Sequence, residues 1–323
     1  MSDECRMAPR EEWKLPTRHI GPRVYVFDRL DSTSTCAAEL ADRPSNHGTV
    51  ILAGEQTAGR GQHGRTWQAP PGRAVLMSVL LFPPPALRRP ALLTAWAAVS
   101  VCGTIRQATG LQAKIKWPND VLLHGRKVCG ILIESKARNP NSRIPKSKSE
   151  IRNPKSKNLG VTENPEIMES EFSVPSVTPV SGKPSDLGFG ISNLEFNGDL
   201  AVVVGIGLNV NQSAEDFEKA ALPQAGSLSL FTPQVLDCPG VTRLLIEQLD
   251  EEYDRMTQGD LAGLESCWKW HIGLLGKQVS VDCPNGRHWG RLRELTFAEV
   301  ALEKDGFSTT RFIPESIQHI EPV

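Results

Sequence analysis

Apolar and polar positions alternate or cluster along most of this chain, and the pattern predicts its elements. Residues 23–28 (RVYVFD) alternate as a half-buried strand does. Thr49–Ala53 and Ala74–Phe82 are short apolar runs that read as buried strands, the second stopped by Pro83–Pro85. Asp31–Ser34 supplies N-cap residues for a helix over Cys36–Ala41. Ala91–Ile105 is apolar on all sides, and the spacing predicts a buried helix over 90–109. Lys114–Trp117 and Asp120–Leu123 read as short strands interrupted by Pro118. His124-Gly125 then turns the chain into a returning strand, Lys127–Glu134.

Between residues 136 and 198 the pattern stops. Ser, Asn, Pro and Lys dominate, and such a segment buries too little surface to offset its ordering entropy. We read 136–198 as a disordered insertion between two strands. An apolar strand resumes over Leu200–Val210. Val241, Leu245, Leu249, Tyr253 and Met256 recur at helical spacing, and a second helix is expected near 260–270. Lys277–Asp282, Gly290–Leu295, Val300–Glu303 and Thr309–Ile313 are short, closely spaced strands, as in a small separate β-barrel. Residues 1–22 read as a loose N-terminal tail, 23–271 as one domain and 272–323 as another.

Composition changes this picture little. The formal net charge of −1 gives no global pull toward nucleic acid or an anionic membrane, so any charge that matters is local. The seven cysteines are odd in number, widely spaced and without CxxC; this speaks against a disulfide framework or zinc site and fits a reducing cytoplasm. The N-terminus has acids and no apolar core, so it is no signal peptide. The run Ala91–Ile105 falls short of the about 20 residues needed to span a bilayer.

Local charge concentrates in GEQTAGRGQHGRTWQAPPG, Gly54–Gly72. Its glycines let backbone N–H groups approach a ligand, and Arg60, Arg65 and Arg73 offer forked donors to carboxylate or phosphate. A surface loop whose arginines pair with acids elsewhere fits the residues equally well. There is no GxxxxGK[ST] P-loop, and no GxGxxG follows a strand and opens a helix in the Rossmann arrangement. In KWPNDVLLHGRKVCGILIE, Lys116–Glu134, Asn119 and Asp120 could hold Mg²⁺ through water or simply form an Asx turn. Lys127 lies among apolar neighbours and needs a partner for its head group. Gly130 leaves room for a ligand or another backbone. In GIGLNVN, Gly205 and Gly207 invite close packing. Asn209 suits either a base edge or a bulge with a turn.

In order and separation, DSTS (31–34), GEQTAGRGQHGRTW (54–67), KWPND…RKVCGILIE (116–134) and GIGLNVN (205–211) resemble the biotin protein ligases. The resemblance covers roughly 23–135 and 199–323. It implies an α/β (α+β) mixed-sheet catalytic domain of the biotin/lipoate-ligase type, followed by a small SH3-like β-barrel. It also implies a reaction: biotin and ATP, with Mg²⁺, give biotinyl-5′-AMP, and biotin passes to a lysine of a biotin carboxyl carrier protein. That carrier belongs to acetyl-CoA carboxylase or another biotin-dependent carboxylase. Carried over by position, Ser32, Thr33 and Gln56 would bind biotin's ureido ring, with Ser34 also among the biotin-binding residues. Arg60, Gly61 and Gln62 would line carboxylate and phosphate, and Arg65 would serve the ATP site. Lys127 would bridge the biotin carboxylate and the α-phosphate. Asn119 and Asp120 would sit near phosphates and Mg²⁺, Trp67 and Asn209 near adenine. Gly130, Gly205 and Gly207 would floor the biotin pocket. Ser34 stands where the family commonly has Asn, and Gln62 where it commonly has Arg. The resemblance implies a cytoplasmic, monofunctional enzyme with no DNA or membrane partner, and leaves a homodimer open. A lipoate or octanoate ligase of the same fold and a non-catalytic biotin-sensing regulator are the alternatives.

Overall fold

The computed structural model describes residues 8–137, 200–304, 306 and 308–323. These build two sheets. The larger has eight strands in the order β1-β2-β3-β4-β8-β7-β6-β5. Its members are β1 (Glu11–Trp13), β2 (Val24–Leu30), β3 (Val50–Gln56), β4 (Ala74–Leu81), β5 (Lys114–Lys116), β6 (Asp120–Leu123), β7 (Arg126–Ala137) and β8 (Leu200–Asn209). Only β2 and β3 run parallel; the other pairs are antiparallel. The chain therefore has the mixed-sheet α/β architecture expected.

Strand alternation gives the sheet two different faces. Val75, Met77, Val79 and Leu81 of β4 and Val202, Val204, Ile206 and Leu208 of β8 enter the main core. Helices α2 (Pro90–Thr109) and α4 (Cys238–Thr257) pack there on one another, with α5 (Leu261–Ile272) beside them. The side chains of α2 are buried almost all round. Its hydroxyls are satisfied internally: Thr94, Ser100, Thr104 and Thr109 each donate to the carbonyl one turn back. Gly110 ends the helix in the left-handed region, at φ 73°. On α4 the buried side chains include Val241, Leu245, Leu249, Tyr253 and Met256, the stripe read from the sequence. The opposite face of the sheet carries a smaller core, Phe27, Leu30, Ile51, Ala53, Leu80 and Val203, covered by α1 (Thr33–Glu39) with Cys36 and Ala37.

Residues 8–22 are not a loose tail. β1 pairs with β2 and forms the edge of the sheet, and the next turn is tied to α4. The backbone N–H groups of Arg18, His19 and Ile20 all donate to the Asp250 carboxylate, at 2.9, 2.6 and 2.7 Å. A three-residue strand carries no readable period, and an acid on a distant helix is invisible to local patterning. Of the expected insertion 136–198, Lys136 and Ala137 belong to β7; the rest lies outside the described residues. Cys36 is disulfide-bonded, whereas Cys102, Cys129, Cys238, Cys267 and Cys283 are free thiols, so the described cysteines form no disulfide framework.

The second sheet holds β9 (Gln278–Cys283), β10 (Gly286–Leu295), β11 (Val300–Lys304), β12 (Ser308–Phe312) and β13 (His319–Pro322), all antiparallel, in the order β12-β11-β10-β9-β13. It is compatible with the SH3-like barrel expected, but it does not stand apart. Its core is continuous with the main one through tilted ring contacts: Trp117 to Trp268 at 5.6 Å and Trp268 to Phe297 at 5.1 Å. Trp117 Nε1 donates to Ile317 O at 3.2 Å, and Lys116 pairs with Glu321 at 2.9 Å. No described helix is long and apolar enough to cross a membrane.

Candidate active site

The face of the large sheet beyond α1 is where most of the singled-out residues meet. By alternation, Ser78 of β4, Gly205 and Gly207 of β8, and Gly130 of β7 face the same way. Gly205 pairs with Ser78 on one side and Leu132 on the other, and Gly207 pairs with Gly130. The glycines leave this floor bare, and Trp67 lies on it. A Cβ at Gly207 would meet Trp67 Cε2 at 2.4 Å, and one at Gly130 would meet Cζ3 at 2.9 Å. The Trp67 indole nitrogen is buried without a hydrogen-bond partner.

Trp67 is delivered by a folded hairpin. Trp67 N donates to Gly59 O at 2.9 Å and Gly61 N to Arg65 O at 2.7 Å. The tip turns through His63 and Gly64, both at positive φ. At its base Arg60 reaches in two directions, to Glu134 of β7 at 2.8 Å and to Thr35 Oγ1 of α1 at 2.7 Å. The acid that pairs with Arg60 is thus Glu134, from a distant strand. Arg65 is exposed and Gln62 half-buried on the hairpin turn, so neither joins the floor.

Lys127 reaches the floor by a register step. In the β6–β7 pairing Leu122 faces Lys127 but Val121 faces Cys129, so Val128 is an extra residue. Val128 and Cys129 both point into the main core, fully buried. That bulge puts Lys127 and Gly130, three residues apart, on one face, where regular alternation would set them on opposite faces. Lys127 Nζ lies 2.5 Å from Asp120 Oδ1 and 5.8 Å from the Trp67 ring centroid. Asp120 is directly opposite Gly130 in the ladder. Burial raises the Cys129 thiol pKa, which keeps that neighbour inert.

A second polar group lies at the N-terminus of α1. Gln56 Oε1 accepts from Thr33 N at 2.8 Å and from Thr33 Oγ1 at 3.0 Å. The Ser78 hydroxyl is 2.8 Å from Thr33 Oγ1 and 3.0 Å from Ser34 Oγ. Ser32 is the buried N-cap of α1 and makes no side-chain cap bond.

Two expected ligand residues are committed to the protein itself. Asn119 Nδ2 donates to Ile131 O at 2.6 Å, stapling β6 to β7. Asn209 donates to Gly226 O at 3.0 Å and accepts from Gln212 Nε2 at 2.7 Å, which holds the 209–229 segment. Sequence reasoning missed Ser78, Glu134, Thr35 and Gln212. The lone hydroxyl in AVLMSVLL was the available signal for Ser78, and Glu134 closes the same motif as Lys127. Among the described residues no cluster of His, Cys, Asp and Glu could cage a metal ion.

The biotin/lipoate A/B protein ligase family model matches residues 26–144. The bifunctional ligase/repressor BirA of Bacillus subtilis is 29% identical over 278 residues, 86% of this chain and 68% of that protein. The biotin--[acetyl-CoA-carboxylase] ligase of Paracoccus denitrificans is 43% identical over 118 residues, 36% of this chain and 48% of that protein. Residues 26–144 thus carry the biotin/lipoate A/B protein ligase domain, and the relatives that match across it are biotin ligases. The biotin protein ligase of Aquifex aeolicus, solved in complex with biotin and ATP, shares the fold. It superimposes with a TM-score of 0.60 at 20% identity, over 93% of this chain and 99% of that one. The glycine-cleared floor, the Trp67 hairpin and the Lys127–Asp120 pair lie on this shared fold.

Proposed function

We propose that this chain activates biotin with ATP and transfers it to a protein lysine. The observation that carries the reading is Lys127, turned by its bulge onto a glycine-cleared floor beneath Trp67 and held by Asp120. In the first step a biotin carboxylate oxygen bonds to the α-phosphorus of ATP. The bond to the bridging oxygen breaks, and pyrophosphate leaves with its electron pair. Two anions must be brought together, and a preorganised cation between them lowers that barrier. Lys127 would exchange Asp120 for the biotin carboxylate and the α-phosphate. Arg60 would hold the nucleotide side of the loop.

MgATP is the substrate form. Asp120 offers a single carboxylate, which fits an ion that arrives on phosphates and keeps most of its waters. Trp67 and the hairpin would cover biotinyl-5′-AMP and keep water from the mixed anhydride. In the second step a lysine amine of a biotin carboxyl carrier domain, of the acetyl-CoA carboxylase type, attacks the anhydride carbonyl. AMP leaves, and the amine proton passes to solvent. No step calls on DNA or on a second copy of the chain.

The Thr33–Ser34–Ser78–Gln56 group favours biotin over lipoate. A ureido ring offers N–H donors and a carbonyl acceptor to match it, whereas a dithiolane would give its ends, the Ser34 hydroxyl and the Gln56 amide, no ligand partner. The test mixes the protein with MgATP, a carrier domain and either biotin or lipoate. Biotin-dependent pyrophosphate release and a biotin mass increase on one carrier lysine are expected. Modification by lipoate alone, or none by either, would remove the proposal.

A further inference from the structure

The hydroxyl chain beneath α1 has a direction that the heavy atoms fix. A backbone N–H can only donate, so the Gln56 atom 2.8 Å from Thr33 N must be the amide oxygen. That oxygen can only accept, so Thr33 Oγ1, 3.0 Å away, spends its one proton on it. Thr33 Oγ1 must then accept from Ser78, at 2.8 Å, which uses the single Ser78 proton. Ser78 has none left for Ser34, so at 3.0 Å the Ser34 hydroxyl donates to Ser78. The protons run one way, Ser34 to Ser78 to Thr33 to Gln56. All three hydroxyl residues are buried, Ser78 completely, so water does not scramble the order.

The two ends of this chain differ in kind. Ser34 Oγ, beside the bare Cα of Gly205, keeps only lone pairs. Gln56 keeps its Nε2 amide protons, which no described residue accepts, and its oxygen is locked toward Thr33. We propose that Ser78 is a positioning residue that presets the pocket as an acceptor at Ser34 and a donor at Gln56. This presents the complement of a cyclic urea, N–H to Ser34 and C=O to Gln56. The inference rests on the biotin reading above and adds the residue that orders its recognition. Ser78 touches no ligand atom in this account; it acts through Ser34 and Thr33.

The consequence is a selectivity that deleting Ser78 should change. Without the Ser78 acceptor, the Ser34 proton is free and Ser34 can donate as well as accept. The probes are biotin and its two cyclic carbamate analogues, in which one or the other ureido N–H is replaced by a ring oxygen. Binding of each to the full chain is measured by calorimetry for wild type, Ser78→Ala and Ser78→Cys. In wild type, two lone pairs facing one another should weaken at least one carbamate by about tenfold or more relative to biotin. In Ser78→Ala that preference should shrink about tenfold, because biotin loses an ordered acceptor while the carbamate gains a donor. Ser78→Cys, nearly isosteric and a weak donor, should fall between, and it decides the matter if the alanine variant does not fold. The small cavity left by the lost hydroxyl weakens all three ligands alike, so equal losses with an unchanged ratio overturn the proposal. Wild type that binds biotin with no preference over either carbamate overturns it too, while leaving the biotin reading intact. Wild type that binds no biotin removes that reading and this one together.

Discussion

Trp67 rests its ring on the Cα of Gly207, where a single methyl would stand 2.4 Å from its Cε2. Gly207 has no need of positive φ, so alanine there changes contact and not backbone conformation. Gly207→Ala should lift Trp67 off the floor and leave the sheet intact. The KM for biotin should rise about tenfold or more, with a melting temperature within a few degrees of wild type. An unchanged KM would show that Trp67 does not cover the ligand.

Lys127 provides the sharpest test of the chemistry. Loss of one preorganised donor typically costs about 10²–10³ in rate. Lys127→Ala should slow single-turnover formation of biotinyl-5′-AMP by that much and leave Asp120 without its cation. Lys127→Arg should rescue only in part, since a planar fork does not replace a compact point charge. Near-normal adenylation by the alanine variant would remove Lys127 from the mechanism.

Much of this arrangement was legible in the sequence. Apart from β1, the strands of the large sheet, the buried helix and the α4 stripe follow from apolar runs, alternation and helical spacing, which report which side of an element is dry. The glycines at 130, 205 and 207 and the lysine at 127 were odd for their surroundings and so drew attention. What stayed hidden depends on pairing between distant segments. The bulge at Val128 is a property of the β6–β7 register, and Arg60 meets Glu134 across 74 residues. Ser78 is a lone hydroxyl in an apolar strand, and its partners Thr33 and Ser34 lie 45 and 44 residues away.

Asp250 should matter more for stability than its position on a helix suggests. It collects three backbone N–H groups and is itself 8% exposed. Asp250→Ala leaves those donors without a partner, at a cost of about 2–4 kcal/mol by the usual penalty for lost charged acceptors. Denaturant unfolding should show that loss, and amide exchange of residues 18–20 should rise. A change below about 0.5 kcal/mol would mean that water replaces the carboxylate there.

The pH response should follow the buried imidazoles. Burial, reinforced by the neighbouring His19, holds the His47 pKa below its ordinary 6.5. Its Nδ1 accepts from Phe82 N at 2.9 Å, which a protonated ring could not do. Burial lowers His271 in the same way, opposed by its bond to the Ala113 carbonyl. The unfolded chain takes up these protons near 6.5 and the folded chain only at lower pH, so their contribution is complete above about pH 6.5 and drains away below it. Melting temperature should fall on going from pH 7 toward pH 5, less steeply in His47→Gln. An identical slope in the variant would assign the loss to other groups.

The closely spaced strands at the C-terminus read as a self-sufficient barrel, yet Trp117 and Trp268 use that sheet as their lid. A chain ending at Gly273 would strip Phe297 and Ile317 from them. Each large buried side chain so exposed forfeits roughly 1.5–3 kcal/mol. The shortened chain should melt well below the full one and bind a hydrophobic dye. A melting temperature equal to that of the full chain would show that the two sheets fold independently.

The ladder between β7 and β8 stays in register to its last rung, Ala137 opposite Leu200. Whatever the chain does between those residues, it leaves and returns at neighbouring points, one strand spacing apart. Lys127 lies ten residues back along β7, about 30 Å away at the rise of an extended strand. The far end of this hairpin is thus a port: a fluorescent domain or an affinity handle could be spliced in there. The sheet would feel only two adjacent anchor points, and the chemistry would proceed a molecule's breadth away.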